Sequence, residues 1–139
     1  MTTHAIPFAT DAWIKRLADE CNNSPFYRDA ARNLDGDIYF VVEAEGRLQK
    51  NVYMYMHFCE GQCHRAFVPE DHTTLSPELW ISGPVSAWKE ITEKSIDPLR
   101  ALLTRKLSVR GSMAKIIRHS KAAQALMNCS VNFKTDFPL

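Results

Sequence analysis

Residues 102–127, LLTRKLSVRGSMAKIIRHSKAAQALM, constrain this chain more than any other stretch. They hold a helix end, a short strand, a glycine turn and a long amphipathic helix in immediate succession. From 98 to 135 the chain carries eight Lys or Arg and not one Asp or Glu. An apolar groove bounded by basic residues suits an amphipathic ligand with a long apolar body and an anionic or polar head.

The net charge of +1 hides a strong asymmetry. Residues 1–97 hold nine basic and fifteen acidic residues, a net of −6, and residues 98–139 hold eight basic and one acidic, a net of +7. Either the two halves attract each other and solvate two surfaces, or the basic face meets an anionic head group, a membrane surface or nucleic acid. Nucleic acid is the poorest fit. The aromatics lie mostly upstream of the basic segment, and no recognition motif is present.

At 139 residues, one domain spanning 1–139 with its core in 10–128 is expected. That length buries a sizeable core without staples. No apolar run approaches the ~20 residues needed to cross a bilayer. The opening MTTHAIPFATDAW lacks a basic region and a long apolar core, so a secretory signal is not expected and the expected location is cytoplasmic. The four cysteines, Cys21, Cys59, Cys63 and Cys129, should then be mostly reduced.

Along the chain, Trp13, Ile14, Leu17, Ala18 and Cys21 recur at helical spacing behind Thr10 or Asp11 as cap. Ser24-Pro25 opens a second helix to about Leu34, with proline at its first position. Residues 37–44, rich in β-branched and aromatic side chains, read as a strand. In 50–59, Val52, Met54, Met56 and Phe58 fall on one face, and Tyr53, Tyr55, His57 and Cys59 on the other. Residues 63–68 should return as its partner, and ELWIS, 78–82, adds another strand to the meander. Residues 84–94 and a helix capped by Asp97 with Pro98 at its first position follow. KLSVR, 106–110, is a strand, Gly111-Ser112 a turn, and 113–128 one last helix with Met113, Ile116, Ile117, Ala123 and Met127 as its stripe. Strands and helices are segregated, which argues an α+β fold with helices covering one sheet face.

These elements, in this order, resemble the sterol carrier protein 2 (SCP2-like) lipid-binding domain family. The resemblance rests on the strand after Asp35-Gly36, on LWIS leading into the Trp88 helix, and above all on KLSVRGSMAKIIR. In it Lys106, Leu107, Val109, Gly111, Ser112 and Met113 match a late strand–glycine–helix motif. The match covers roughly residues 10–128. The chain departs from the family pattern before that strand, where KSIDPLRALL keeps Pro98 and Ala101 but has Lys94 or Ser95 in place of a glycine. The resemblance implies a five-stranded, mainly antiparallel sheet covered on one face by helices, with a tunnel between them. It implies binding, and transfer, of a sterol, fatty acid, acyl-CoA or polyprenyl-type ligand. It shares no metal or redox cofactor, so no cofactor is expected.

The ligand-binding candidates are Met54, Met56, Phe58, Trp80, Trp88, Ile91, Leu102, Leu103, Met113, Ile116, Ile117 and Met127. Residues at these periods also mark an ordinary core, although unbranched methionine adapts well to varied ligands. Arg105, Lys106, Arg110 and Arg118, with Lys115, are head-group candidates because a guanidinium fork matches carboxylate or phosphate. If residues 60–62 form a three-residue loop, Cys59 and Cys63 face each other across the hairpin beside His57. A metal or redox site there remains an alternative, although no second ligand pair completes a zinc set. His4, His57, His64, His72 and His119 form no triad with a motif-placed nucleophile, and no hydrolase, phosphate-loop or dinucleotide motif is present. No enzyme activity is expected. The expected partner is a lipid or other apolar small molecule, with room for transient membrane-surface contact and none for nucleic acid. Two alternatives stay open: a non-catalytic module presenting an apolar intermediate to a partner enzyme, for example in a quinone pathway, and an enzyme using His57, Cys59 and Cys63.

Overall fold

Capping residues and strand alternation account for most of the elements in the computed structural model, which describes residues 4–93 and 95–139. Lys94, which the sequence pattern places at a helix end and in place of the family glycine, lies outside these residues, as do residues 1–3 of the opening segment. Helix α1 (Asp11–Asn22) begins at Thr10, whose hydroxyl accepts from the Trp13 amide. Helix α2 (Pro25–Ala30) begins at Ser24 with proline in its first turn. A side chain that satisfies an orphan amide of the first turn is worth about 1 kcal/mol. Helix α4 (Pro98–Leu103) starts the same way, with Asp97 accepting from the Leu99 and Arg100 amides.

The five-stranded sheet contains β2 (Gly36–Glu43), β3 (Val52–Cys59), β4 (Gln62–Phe67), β5 (Leu79–Pro84) and β6 (Ser108–Arg110) in the order β4-β3-β2-β5-β6. The structure corrects the expectation of one four-stranded meander. β5 does not follow β4 at the edge; it crosses to the far side of β2 and pairs with it in parallel, Ile38 beside Leu79 and Phe40 beside Ile81. The other three pairings are antiparallel. Residues 68–78 carry the crossover over the outer face, where the Tyr39 hydroxyl donates to the His72 carbonyl at 2.9 Å.

Helix α3 (Val85–Thr92) follows β5 directly, and its Trp88 indole N–H donates to the Val41 carbonyl at 3.1 Å. The last helix is two helices, not one. α5 (Met113–Arg118) and α6 (Ser120–Ser130) join at His119, whose backbone leaves the helical region. The break lets α5 stay at the sheet edge, where Lys115 reaches Glu78 and the Asp35 carbonyl, while α6 packs on α1, α2 and α4. The sequence carries no glycine or proline there to announce it. A further pair has no counterpart in the sequence reading: β1 (Ile6–Pro7) runs parallel to β7 (Thr135–Asp136), so these two end segments lie together. Trp13 seals them, packing edge-on to Phe8 and donating to Thr135 at 3.0 Å.

Alternation sorts the sheet. Ile38, Phe40, Val42, Met54, Met56 and Phe58 face the helices and join the main apolar core. Tyr39, Val41 and Tyr55 face outward and form a second cluster with Tyr53, Phe67, Leu75 and Trp80.

The turn between β3 and β4 overturns the three-residue loop. Glu60 and Gly61 have φ of 52° and 77°, both left-handed, as a two-residue type I′ hairpin requires. Cys59 therefore pairs with Gln62, and a register shift after His57 places Cys63 opposite Phe58. Cys59 and Cys63 do not face each other. Cys63 is buried on the core side, its thiol donating to the Arg65 carbonyl at 3.2 Å and its pKa pushed up to about 11 by burial.

Candidate functional site: an apolar cavity between sheet and helices

The inner sheet face is wide, and three of the helices that cover it are short. α2, α4 and α5 have six residues each. Short helices cannot tile a sheet completely, and a cavity of about 100 Å³ remains. Its floor is Ile38 and Phe40 from β2, Phe58 from β3, and Leu79 and Ile81 from β5. Trp88 and Ile91 of α3, and Leu126 and Met127 of α6, close the deep sides. Tyr27 of α2 walls the inner end, and burial pushes its hydroxyl far above the usual tyrosine range, so it stays neutral.

The partly exposed lining residues locate the mouth. Seven of the nine lie together, Pro98, Leu99 and Leu102 on α4 and Lys115, His119, Ser120 and Ala123 along α5, the joint and α6; Leu34 and Ile81 are the other two. The opening therefore lies between α4 and the α5–α6 joint. Three ties span this region: Gln124 donates to Asp97 at 2.9 Å, Lys106 pairs with Glu90 at 2.7 Å, and Lys115 pairs with Glu78. Among the described residues only Lys115, His119 and Ser120 bring polar side chains other than aromatic ones to the lining. Lys115 is already neutralised by Glu78. Burial, then the nearby Arg118 and Lys115 cations, holds His119 below its usual value.

Of the twelve apolar candidates, the lining contains Phe58, Trp88, Ile91, Leu102, Ile116 and Met127. Met54 and Met56 are fully buried in the surrounding core, and Met113 packs against its edge. Trp80 sits on the outer sheet face, because strand alternation turns it away from its inward neighbours Leu79 and Ile81. Leu103 and Ile117 lie in solvent, 64% and 51% exposed. Each is turned away from a lining neighbour, Leu102 and Ile116.

The basic candidates disperse. Arg110 lies over the Trp80 ring at 5.0 Å on the outer face, opposite the cavity. Lys106 is occupied by Glu90, and Arg105 and Arg118 are exposed near the mouth. Ile38, Phe40, Leu79 and Ile81 are lining residues that sequence reasoning missed, although inward alternation on β2 and β5 was a usable signal. Tyr27, His119 and Ser120 were missed too, and no local signal exists for them. Among the described residues no three His, Cys, Asp or Glu side chains gather as a metal set, and all four cysteines are free thiols. Among the described residues no helix is long and apolar enough to cross a membrane.

No curated protein matches the chain. A crystal structure of sterol carrier protein 2 superposes with a TM-score of 0.81 at 25% identity, covering 91% of this chain and 98% of that one. The solution structure of a conserved hypothetical protein of Thermus thermophilus, possibly a sterol carrier protein, gives 0.84 at 23% identity, covering 97% and 94%. The UbiJ-SCP2 ubiquinone synthesis protein has the same fold at 14% identity and a TM-score of 0.56, covering 83% and 88%. The family model of the SCP-2 sterol transfer family matches residues 14–124. That span begins at the first fully buried residue of α1 and contains all five strands of the sheet, α3 to α5 and the start of α6. With all but Leu126 and Met127 of the cavity lining inside that span, the chain belongs to the SCP-2 sterol transfer family, whose domain binds apolar lipids.

Proposed function

We propose that this protein binds one lipid molecule in the cavity and passes it on, with the lipid's body between the inner sheet face and α3–α6 and its head at the mouth beside Lys115, His119 and Ser120. The observation that carries the reading is the lining itself: almost wholly apolar, with its polar side chains other than aromatic ones gathered at the opening. Apolar burial supplies the affinity, and a few placed polar groups orient the ligand. Arg105 and Arg118 near the mouth favour a carboxylate or phosphate head. Arg110, stacked on the far face, has no part in it.

At about 100 Å³ the cavity is smaller than the roughly 300–1,000 Å³ of a typical ligand site. A lipid therefore enters by parting α4 from the α5–α6 joint. Those short helices have few residues to anchor them, and local opening draws on the least stable elements of a fold.

Native mass spectrometry of freshly purified protein should show one co-purified lipid per chain. An apolar fluorescent acyl chain should bind in the micromolar range or tighter, roughly −8 kcal/mol. Ala123→Trp, which fills the mouth, should weaken that binding at least tenfold. If no lipid co-purifies and none displaces the probe, the reading fails. A holding role beside an enzyme of quinone synthesis would use the same cavity; a stoichiometric protein partner in the same spectra would favour it.

A further inference from the structure

We infer that Leu103 on α4 and Ile117 on α5 form a two-point docking surface for an anionic lipid bilayer, with Arg100, Arg105, Arg118 and Lys121 as its charged collar. The purpose of such docking rests on the lipid-binding reading above, but the surface is argued from its own geometry. A singly exposed apolar side chain is ordinary on a protein surface. These two are not scattered. Leu103 lies one helical turn from Leu99, which lines the mouth. Ile117 follows the lining residue Ile116 and precedes His119 and Ser120, which line the other side. The two exposed large apolar side chains of these helices thus flank one opening.

The charge around them is one-sided. Arg100, Arg105, Arg118 and Lys121 are exposed, and none forms an ion pair among the described residues. The nearby acids are engaged: Asp97 caps α4 and accepts from Gln124, Glu90 holds Lys106, and Glu78 holds Lys115. Arg105 adds a separate observation. It ends α4 with φ of 63°, while its own amide and that of Lys106 close the helix onto Leu102 and Ala101. Glycine takes this left-handed position in most such helix ends. Here the chain keeps a long cation in a conformation that favours glycine.

A bilayer fits this surface better than a protein does. A stable protein interface buries about 800 Å² on each partner, more than two apolar side chains supply. Two inserted side chains with four cations match the way peripheral proteins hold an anionic leaflet, by a small apolar wedge plus charge.

The test uses the full chain with extruded vesicles, either phosphatidylcholine alone or phosphatidylcholine with about 30% phosphatidylglycerol to supply the anionic surface, read by co-sedimentation. Binding should appear on the anionic vesicles and fall steeply as salt is raised. Leu103→Asp with Ile117→Asp should weaken it at least tenfold, and each of Arg105→Gly and Arg118→Gln roughly fivefold, the attraction of one cation to an anionic surface. Arg105→Gly should also raise the melting midpoint by a few degrees, since glycine relieves the backbone. A weaker-binding variant that is more stable cannot be dismissed as misfolded. Undiminished vesicle binding by the double aspartate variant would overturn the docking surface. So would conversion of a dimer to a monomer by that variant in sedimentation, which would assign the patch to a second copy of the chain. Acyl-probe binding without vesicles separates the two readings. Probe binding with no vesicle binding removes the docking surface alone, and vesicle binding with no probe binding removes the cavity's ligand alone.

Discussion

The two faces of one sheet make opposite use of neighbouring residues. Tyr39 and Phe40 are adjacent in β2 and both buried, yet one belongs to a filled layer and the other to the floor of a cavity. On the outer face Tyr39 meets Tyr53, Tyr55 and Trp80 edge-on, at centroid separations of 5.7, 5.9 and 4.9 Å. Such pairs are favourable beyond the area they bury. Arg65 lies over Phe67 and Tyr55, and Arg110 over Trp80. The polar tips are satisfied by Asp37 and by the His72 and Pro77 carbonyls. The inner face instead meets short helices that leave space. A layer that fills itself can stabilise without binding, and a layer that is incompletely covered can bind at some cost to stability.

The largest expected break in this contrast is Tyr39→Ala. It empties the centre of the outer layer and should cost about 3–5 kcal/mol by denaturant unfolding, the range for a large buried aromatic. The acyl probe should bind the remaining folded protein with unchanged affinity. Ala123→Trp should do the reverse, with probe affinity reduced at least tenfold and stability shifted by less than about 1.5 kcal/mol, because the site is partly open to solvent. Parallel losses of stability and affinity in both variants would show that the two faces do not divide the work.

Tyr55→Phe is a smaller and sharper probe of the outer layer. It removes a 2.8 Å hydrogen bond to Asp37, worth about 1 kcal/mol. Burial and the Asp37 carboxylate push the Tyr55 hydroxyl from 10.0 up to about 12. The folded state therefore holds this proton more tightly than the unfolded chain does. The stabilisation is complete below pH 10 and is lost as pH rises towards 12. Tyr55→Phe should flatten that part of the alkaline stability profile. A profile identical to that of the unaltered protein would mean the Asp37 contact contributes nothing.

The division was partly legible in the sequence. The alternation of residues 52–58 separated the two faces correctly, because a strand's side-chain period is fixed by its backbone. The caps Thr10, Ser24 and Asp97 were legible for a similarly local reason. Long-range choices were not. Nothing in residues 78–82 shows that β5 will leave β4 and join β2 in parallel, because that pairing is decided by the crossover and by which faces can be buried. The hairpin register was missed because Glu60 takes a left-handed conformation that its residue type does not advertise. At the site, an apolar period marks residues that avoid water, and does not distinguish a packed side chain such as Met56 from a lining one such as Phe58. Nor does it show that Ile117 points outward. Arg110 and Arg118 look alike in the sequence, yet one is spent on Trp80 and the other stays near the mouth.

His119 gives the smallest expected effect and bears directly on the inner face. Burial, then Arg118 and Lys115, lowers its pKa in the folded state. The unfolded chain therefore binds the proton more readily, and stability rises with pH across the interval. The contribution is complete above the ordinary 6.5 and is lost as pH falls from there through the lowered folded value. His119→Asn should remove this slope from the acid side of the stability profile while leaving the profile above neutrality unchanged. An anionic head at the mouth would offset the Arg118 and Lys115 cations by placing negative charge beside the ring. With a fatty acid bound, the His119 Cε1 proton resonance should titrate at higher pH than in the free protein; with the methyl ester it should not. If both ligands leave the titration where it was, the head group does not reach His119. The mouth would then serve only as an entrance, with ligand affinity coming from the apolar floor.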